Sequence, residues 1–197
     1  MKSNAFTMFE LIIVIVVAGI LAAVMIPRLE RDNLQIATNQ VIRHIQYTQH
    51  LAMVDDVYDD SNATWYKAMW RISFRSNNCY LVSSNTDLNT NYDRNESAQD
   101  PLTKSLLYSN TSCTQDSTDN SAMFLSDQYG IDGIEFTNSC GSNRYIAFDY
   151  LGRPHKTLTS VNDLVGSECK ITLHSGSRKG IISILPETGY VKVFSID

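Results

Sequence analysis

Residues 6–27 read Phe6-Thr7-Met8-Phe9-Glu10-Leu11-Ile12-Ile13-Val14-Ile15-Val16-Val17-Ala18-Gly19-Ile20-Leu21-Ala22-Ala23-Val24-Met25-Ile26-Pro27, an apolar run with one carboxylate near its start. Glu10 is costly in an apolar medium unless a cation meets it. None lies between Phe6 and Ile26, and Lys2 is about two helical turns away on the far flank. A cut just before Phe6 creates a cation, a new α-amino group available to the Glu10 of a neighbouring copy. Phe6 to Ile26 as a helix reaches about 31 Å, the length of one membrane span. A secretory signal cut near Ala22-Ala23 leaves Glu10 unexplained.

The polar stretch Met1-Lys2-Ser3-Asn4-Ala5, the start Phe6-Thr7-Met8-Phe9-Glu10, the apolar run with Gly19, and Ile26-Pro27 at its end together resemble the class III signal of type IV pilins and type II secretion pseudopilins. The resemblance implies that residues 1–5 are a leader, removed between Ala5 and Phe6 by a prepilin peptidase that methylates the new Phe6 amine. It also implies that Glu10 orders filament assembly. Ala5 is a departure, since the family usually has Gly before the cut. Charge leaves the orientation open, with Lys2 on one flank and Arg28 and Arg31 on the other, offset by Glu30 and Asp32. The resemblance supplies it: leader in the cytoplasm, a single pass of the bacterial inner membrane by residues 6–27, and the remainder in the periplasm.

Beyond Pro27, Leu34, Ala37, Val41, Ile45, Thr48 and Ala52 recur every three or four residues, while Arg43, Gln46 and Gln49 point elsewhere. This predicts an amphipathic helix over 28–57, continuous with the first and kinked at Pro27. From Phe6 to about Val54 it would run roughly 73 Å. The pattern in 58–197 is β. Tyr66 to Phe74 alternates with Ala68, Trp70, Ile72 and Phe74 on one face, and Tyr80 to Val82 returns beside it. Further strands are expected at Ile134 to Phe136, Arg144 to Asp149, Lys170 to His174, Ile181 to Leu185 and Tyr190 to Phe194, the last two joined by the turn Pro186-Glu187-Thr188-Gly189. The expected fold class is α+β, a long N-terminal helix, half transmembrane and half amphipathic, packed on an antiparallel β head.

Phe148-Asp149-Tyr150-Leu151-Gly152-Arg153-Pro154, Ile171-Thr172-Leu173 and the closing hairpin are similar to minor pseudopilins of the GspH/FimT group. That resemblance implies a head of two small sheets.

Residues 83–121 are dominated by Asn, Ser, Thr and Asp and read as a polar surface insert. Asp87, Asn89, Asn91, Asp93 and Asn95 take alternate positions of a calcium loop, but Tyr92 stands where glycine is needed and Ala98 where a bidentate Glu is needed. Four cysteines without a Cys-x-x-Cys favour disulfides over thiolate ligands outside the cytoplasm. They allow three pairings; the favoured one joins Cys79 to Cys113, closing the insert at its base, and Cys140 to Cys169, clamping two late strands.

His44, His50, His155 and His174 sit in no metal-ligand spacing and beside no nucleophile motif, so neither catalysis nor a cofactor or metal is expected. The net charge of −5 argues against a broad nucleic-acid footprint, although Arg178-Lys179 could form a local patch. Asp60-Ser61-Asn62-Ala63-Thr64 and Asp93-Arg94-Asn95-Glu96-Ser97 fit the Asp/Glu-x-Asn-x-Ser/Thr pattern of bacterial N-glycosylation, making Asn62 and Asn95 candidate acceptors; Asn110-Thr111-Ser112 fits only the shorter form. The expected role is that of a minor pilin or pseudopilin in a secretion pseudopilus or type IV pilus. Its implied partners are other such subunits, prepilin peptidase and the inner-membrane assembly platform. A DNA-binding minor pilin of an uptake pilus and a membrane-tethered periplasmic domain without a filament role are the alternatives.

Overall fold

The amphipathic stripe read at Leu34, Ala37, Val41, Ile45, Thr48 and Ala52 is the buried face of a helix, Asn33–Val54. A computed structural model describes this element within residues 8–25, 32–76, 78–89 and 93–197. The expected leader, the Ala5–Phe6 junction and the kink at Pro27 lie outside the described residues.

One long helix, half transmembrane and half amphipathic, is not what forms. Two separate helices stand in its place, α1 (Met8–Met25, 18 residues) and α2 (Asn33–Val54, 22 residues). They belong to different compact units, residues 1–32 and 33–197. No helix among the described residues is long and apolar enough to cross a membrane. At 1.5 Å per residue α1 reaches about 27 Å, short of a hydrocarbon layer of roughly 30 Å. α2 is longer, but one of its faces is polar.

The unit 33–197 is α+β with two antiparallel sheets. The first has the order β2 (Tyr80–Ser83), β1 (Arg71–Phe74), β4 (Tyr145–Phe148), β5 (Pro154–His155). The second runs β3 (Gly133–Phe136), β6 (Cys169–Ser175), β7 (Arg178–Ile184), β8 (Val191–Ile196). Ile72 lies opposite both Val82 and Ile146, and Ile171 opposite Ile182, so large apolar side chains meet across the strands. These inner faces close on the α2 stripe in one core. Phe74 bridges the sheets, stacking on Tyr80 and meeting the Phe136 ring edge-on, each at 5.4 Å between centroids. The two threonines of the stripe, Thr38 and Thr48, donate to Leu34 O (2.7 Å) and His44 O (2.6 Å), so their burial leaves no hydroxyl unsatisfied. Gly180 on β7 is required by the approach of α2, because a Cβ there would collide with Thr38 Oγ1.

The strand expected from Tyr66 is shorter. Trp65–Ala68 is a 3-10 turn, and only Arg71–Phe74 extends, with all four residues buried. The turn covers the outer face of sheet one, where Met69, Tyr145, Ala147 and Leu158 form a second apolar cluster with Trp65 and Tyr66 packed on it. The alternation read as one buried face is therefore a strand covered on both. At the other end of the chain, Ile181 opposes Ser195 and Ile182 opposes Val193, so β8 carries a bulge. Phe194 is turned outward by it, and Lys170 Nζ sits 3.6 Å from its ring centroid.

The polar insert is pinned to β2. Val82 N donates to Leu107 O, Leu107 N to Ala98 O, and Ala98 N to Val82 O, at 2.8 to 2.9 Å. Arg94 Nη1 donates to the buried carboxylate of Asp119 at 2.8 Å. Disulfides Cys79–Cys113 and Cys140–Cys169 close segments with separations of 34 and 29 residues. In the chain-entropy account such loops stabilise by about 3 to 4 kcal/mol each. Peptide mapping without reduction should therefore recover these two pairs alone, and Cys79→Ser with Cys113→Ser should lower stability by about that amount; any other pairing contradicts the fold.

Candidate functional site

α1 is apolar on every side, and every described side chain from Met8 to Leu21 is exposed. Ile13, its most covered large apolar side chain, is still 47 % exposed. Such a helix has no polar face to turn to water and needs an apolar surround. Glu10 stands in its first turn. A carboxylate there is favourable for the helix alone by about 0.3 to 1 kcal/mol, because it faces the positive end of the macrodipole. That gain is small beside the cost of carrying the same carboxylate into an apolar surround without a cation. Ala5, Phe6 and Pro27, the other processing and assembly candidates, lie outside the described residues. A Cβ at Gly19 would meet nothing within 4 Å, so this position leaves room for close approach by another backbone.

In the unit 33–197 the histidines are separated. His50 is exposed on α2. His174 Nε2 lies 3.2 Å from the Glu135 carboxylate. His155 and Arg153 hold the buried Asp149: Arg153 Nε donates to Asp149 Oδ2 at 2.7 Å, and His155 Nε2 lies 3.4 Å from the same oxygen. Burial opposes ionisation of Asp149, yet the hydrogen bonds from His155 and Arg153 and the Arg153 charge prevail and bring its pKa down to about 2. This network ties β5 to the Asp149–Arg153 turn, a structural task the sequence reading did not identify.

His44 is the buried histidine of α2. Gln40 Nε2 donates to its Nε2 at 3.0 Å, so the neutral ring carries its proton on Nδ1 and donates to Tyr80 Oη at 2.7 Å. Burial lowers its pKa to about 4, with nearby Asp100 raising it and Arg43 lowering it further.

Three carboxylates, Asp87, Asp93 and Glu96, converge within 4.8 Å in the insert. Glu96 lies outside the alternate positions that the calcium-loop reading considered. Protein donors already occupy the group: Asn89 Nδ2 donates to Asp87 Oδ2 (2.6 Å) and Asp93 Oδ2 (3.3 Å), and Thr86 Oγ1 to Glu96 Oε1 (2.8 Å). The Arg178-Lys179 pair lies against Asp197, whose backbone oxygen accepts from Arg178 Nε at 3.2 Å. The four cysteines are joined in the two favoured pairs. Asn62, half-buried, lies between two surface turns, and Asn95, exposed, in a 3-10 turn of the insert.

Comparison with protein-family models, with curated proteins and with solved structures finds no match to this chain.

The His44 geometry sets a pH dependence. A histidine whose pKa falls from 6.5 in the unfolded chain to about 4 in the fold stabilises while neutral, and that contribution is lost as pH falls from about 6.5 to about 4. The loss is of the order of 3 kcal/mol. Urea unfolding should show it between pH 7 and pH 4, and His44→Gln should flatten the slope across that window. Equal slopes for the two proteins contradict a neutral buried ring.

Proposed function

We propose that this chain is a minor pilin or pseudopilin subunit, matured at the bacterial inner membrane by a prepilin peptidase and assembled with other subunits on a membrane platform. The observation that supports the reading best is α1, an all-round apolar helix with exposed side chains and one carboxylate in its first turn. Packing such helices against one another buries about 25 cal/mol per Å² of apolar surface without requiring any further shape from the chain. The carboxylate would then sit in an apolar surround, where a neighbour's α-amino group at Phe6 is a suitable cation. Because a carboxylate meets that amine in only one axial register, the pair would select the register as well as offset the cost of burial.

The unit 33–197 suits this role. Its two disulfides fit an oxidising compartment such as the periplasm, and its core joins α2 to both sheets. A nucleic-acid receptor has less support, since the net charge is −5 and Asp197 stands beside Arg178.

Mass spectrometry of the mature N-terminus tests the proposal. The expected chain starts at N-methylated Phe6, and Ala5→Asp leaves residues 1–5 attached. A wild-type chain that remains uncut beside the peptidase, or one that starts near Val24, contradicts it.

A further inference from the structure

The three Asn-x-Ser/Thr tripeptides that the assembly reading does not use differ in how the fold holds them. Asn62 follows Ser61 in a pair of tight turns, with Asn62 N donating to Asp59 O (3.2 Å) and Trp65 N to Asn62 O (3.0 Å). Its Oδ1 accepts from both Thr64 N and Thr64 Oγ1, each at 2.9 Å. Its Nδ2 has no hydrogen-bond partner among the described residues. Ser61 and Ala63 on either side are exposed, and Asn62 lines an open cleft of about 270 Å³ that also includes Trp65 and Asp59.

Asn95 is held otherwise. It sits in the Arg94–Glu96 turn, and its hydroxyl partner, Ser97 Oγ, donates to Asp93 O at 3.3 Å instead of to the asparagine. Both flanks are fixed, Arg94 on Asp119 at 2.8 Å and Glu96 Oε1 under Thr86 Oγ1 at 2.8 Å. At Asn110 the side-chain nitrogen is itself committed, donating to Thr114 O at 3.1 Å beside the Cys79–Cys113 disulfide.

We propose that Asn62 is an N-glycosylation site of this protein and that Asn95 and Asn110 are not. The donor is a polyprenyl-diphosphate-linked oligosaccharide acting through a membrane oligosaccharyltransferase. Asn62 Nδ2 attacks the anomeric carbon, forming the C–N bond. The bond from that carbon to the diphosphate oxygen breaks, the lipid diphosphate leaves with its electron pair, and one amide proton passes to a base of the transferase. The Thr64 N–H and hydroxyl on Oδ1 make the Nδ2 protons more acidic, which favours passing one of them to that base as the C–N bond forms. In the product, the first sugar occupies the cleft beside the Trp65 indole.

The test uses the full chain, co-expressed with an oligosaccharyltransferase specific for Asp/Glu-x-Asn-x-Ser/Thr and its lipid-linked oligosaccharide, in cells that glycosylate a control acceptor. Intact-mass measurement should show one oligosaccharide on the wild type, on Asn95→Gln and on Thr64→Ser, and none on Asn62→Gln or Thr64→Val. Recovery of both disulfides in Asn62→Gln shows that the variant folds. An unmodified wild type, or an oligosaccharide retained by Asn62→Gln, overturns the assignment.

Discussion

Burial of one face of α2 holds the β unit together. Leu34, Ala37, Val41, Ile45 and Ala52 are shared by both sheets, and among the described residues of this unit the other α-helix, Leu125–Tyr129, is only 5 residues long. Each fully buried aliphatic side chain contributes about 1.5 to 3 kcal/mol, so this stripe outweighs any single polar contact in the unit. The approach is close enough that Gly180 is obligatory opposite Thr38. It is also close enough to exclude water from His44, which is why that ring stays neutral and bonds Tyr80.

α1 has the opposite character. Its apolar surface is exposed, and nothing in its composition lets it remain so in water. In the proposed filament, the helices of neighbouring subunits would cover it, and Glu10 is the charged residue among the described residues of α1 that such packing would have to accommodate. The two units thus differ in kind, one built on an apolar core and two disulfides, the other carrying an apolar helix with its described side chains exposed.

Periodicity made α2 legible, because spacings of three and four are satisfied by few arrangements other than a helix on a core. The late strands were legible for the same reason, at a period of two, with Gly189 at φ +62° ending the turn before β8. Tyr66 to Phe74 misled because the same alternation fits a 3-10 turn followed by a strand covered on both faces, and burial of the outer face depends on Leu158, far away in sequence. The continuous helix misled because an apolar run and an amphipathic run can share a period without sharing an element. Glu10 could be read as a carboxylate out of place. The Asp149 network, the meeting of Glu96 with Asp87 and Asp93, and the Thr64 bond to Asn62 could not, since each depends on turn geometry that residue types leave open.

Glu10→Val separates apolar packing from charge pairing, because it makes α1 more apolar while removing the carboxylate. Quantitative mass spectrometry of purified filaments, from cells holding equal amounts of variant and wild type, measures the difference. Loss of a pairing worth about 1.4 kcal/mol predicts about tenfold lower incorporation of the variant. Equal or higher incorporation would contradict a register set by Glu10 and leave apolar packing as the whole of assembly.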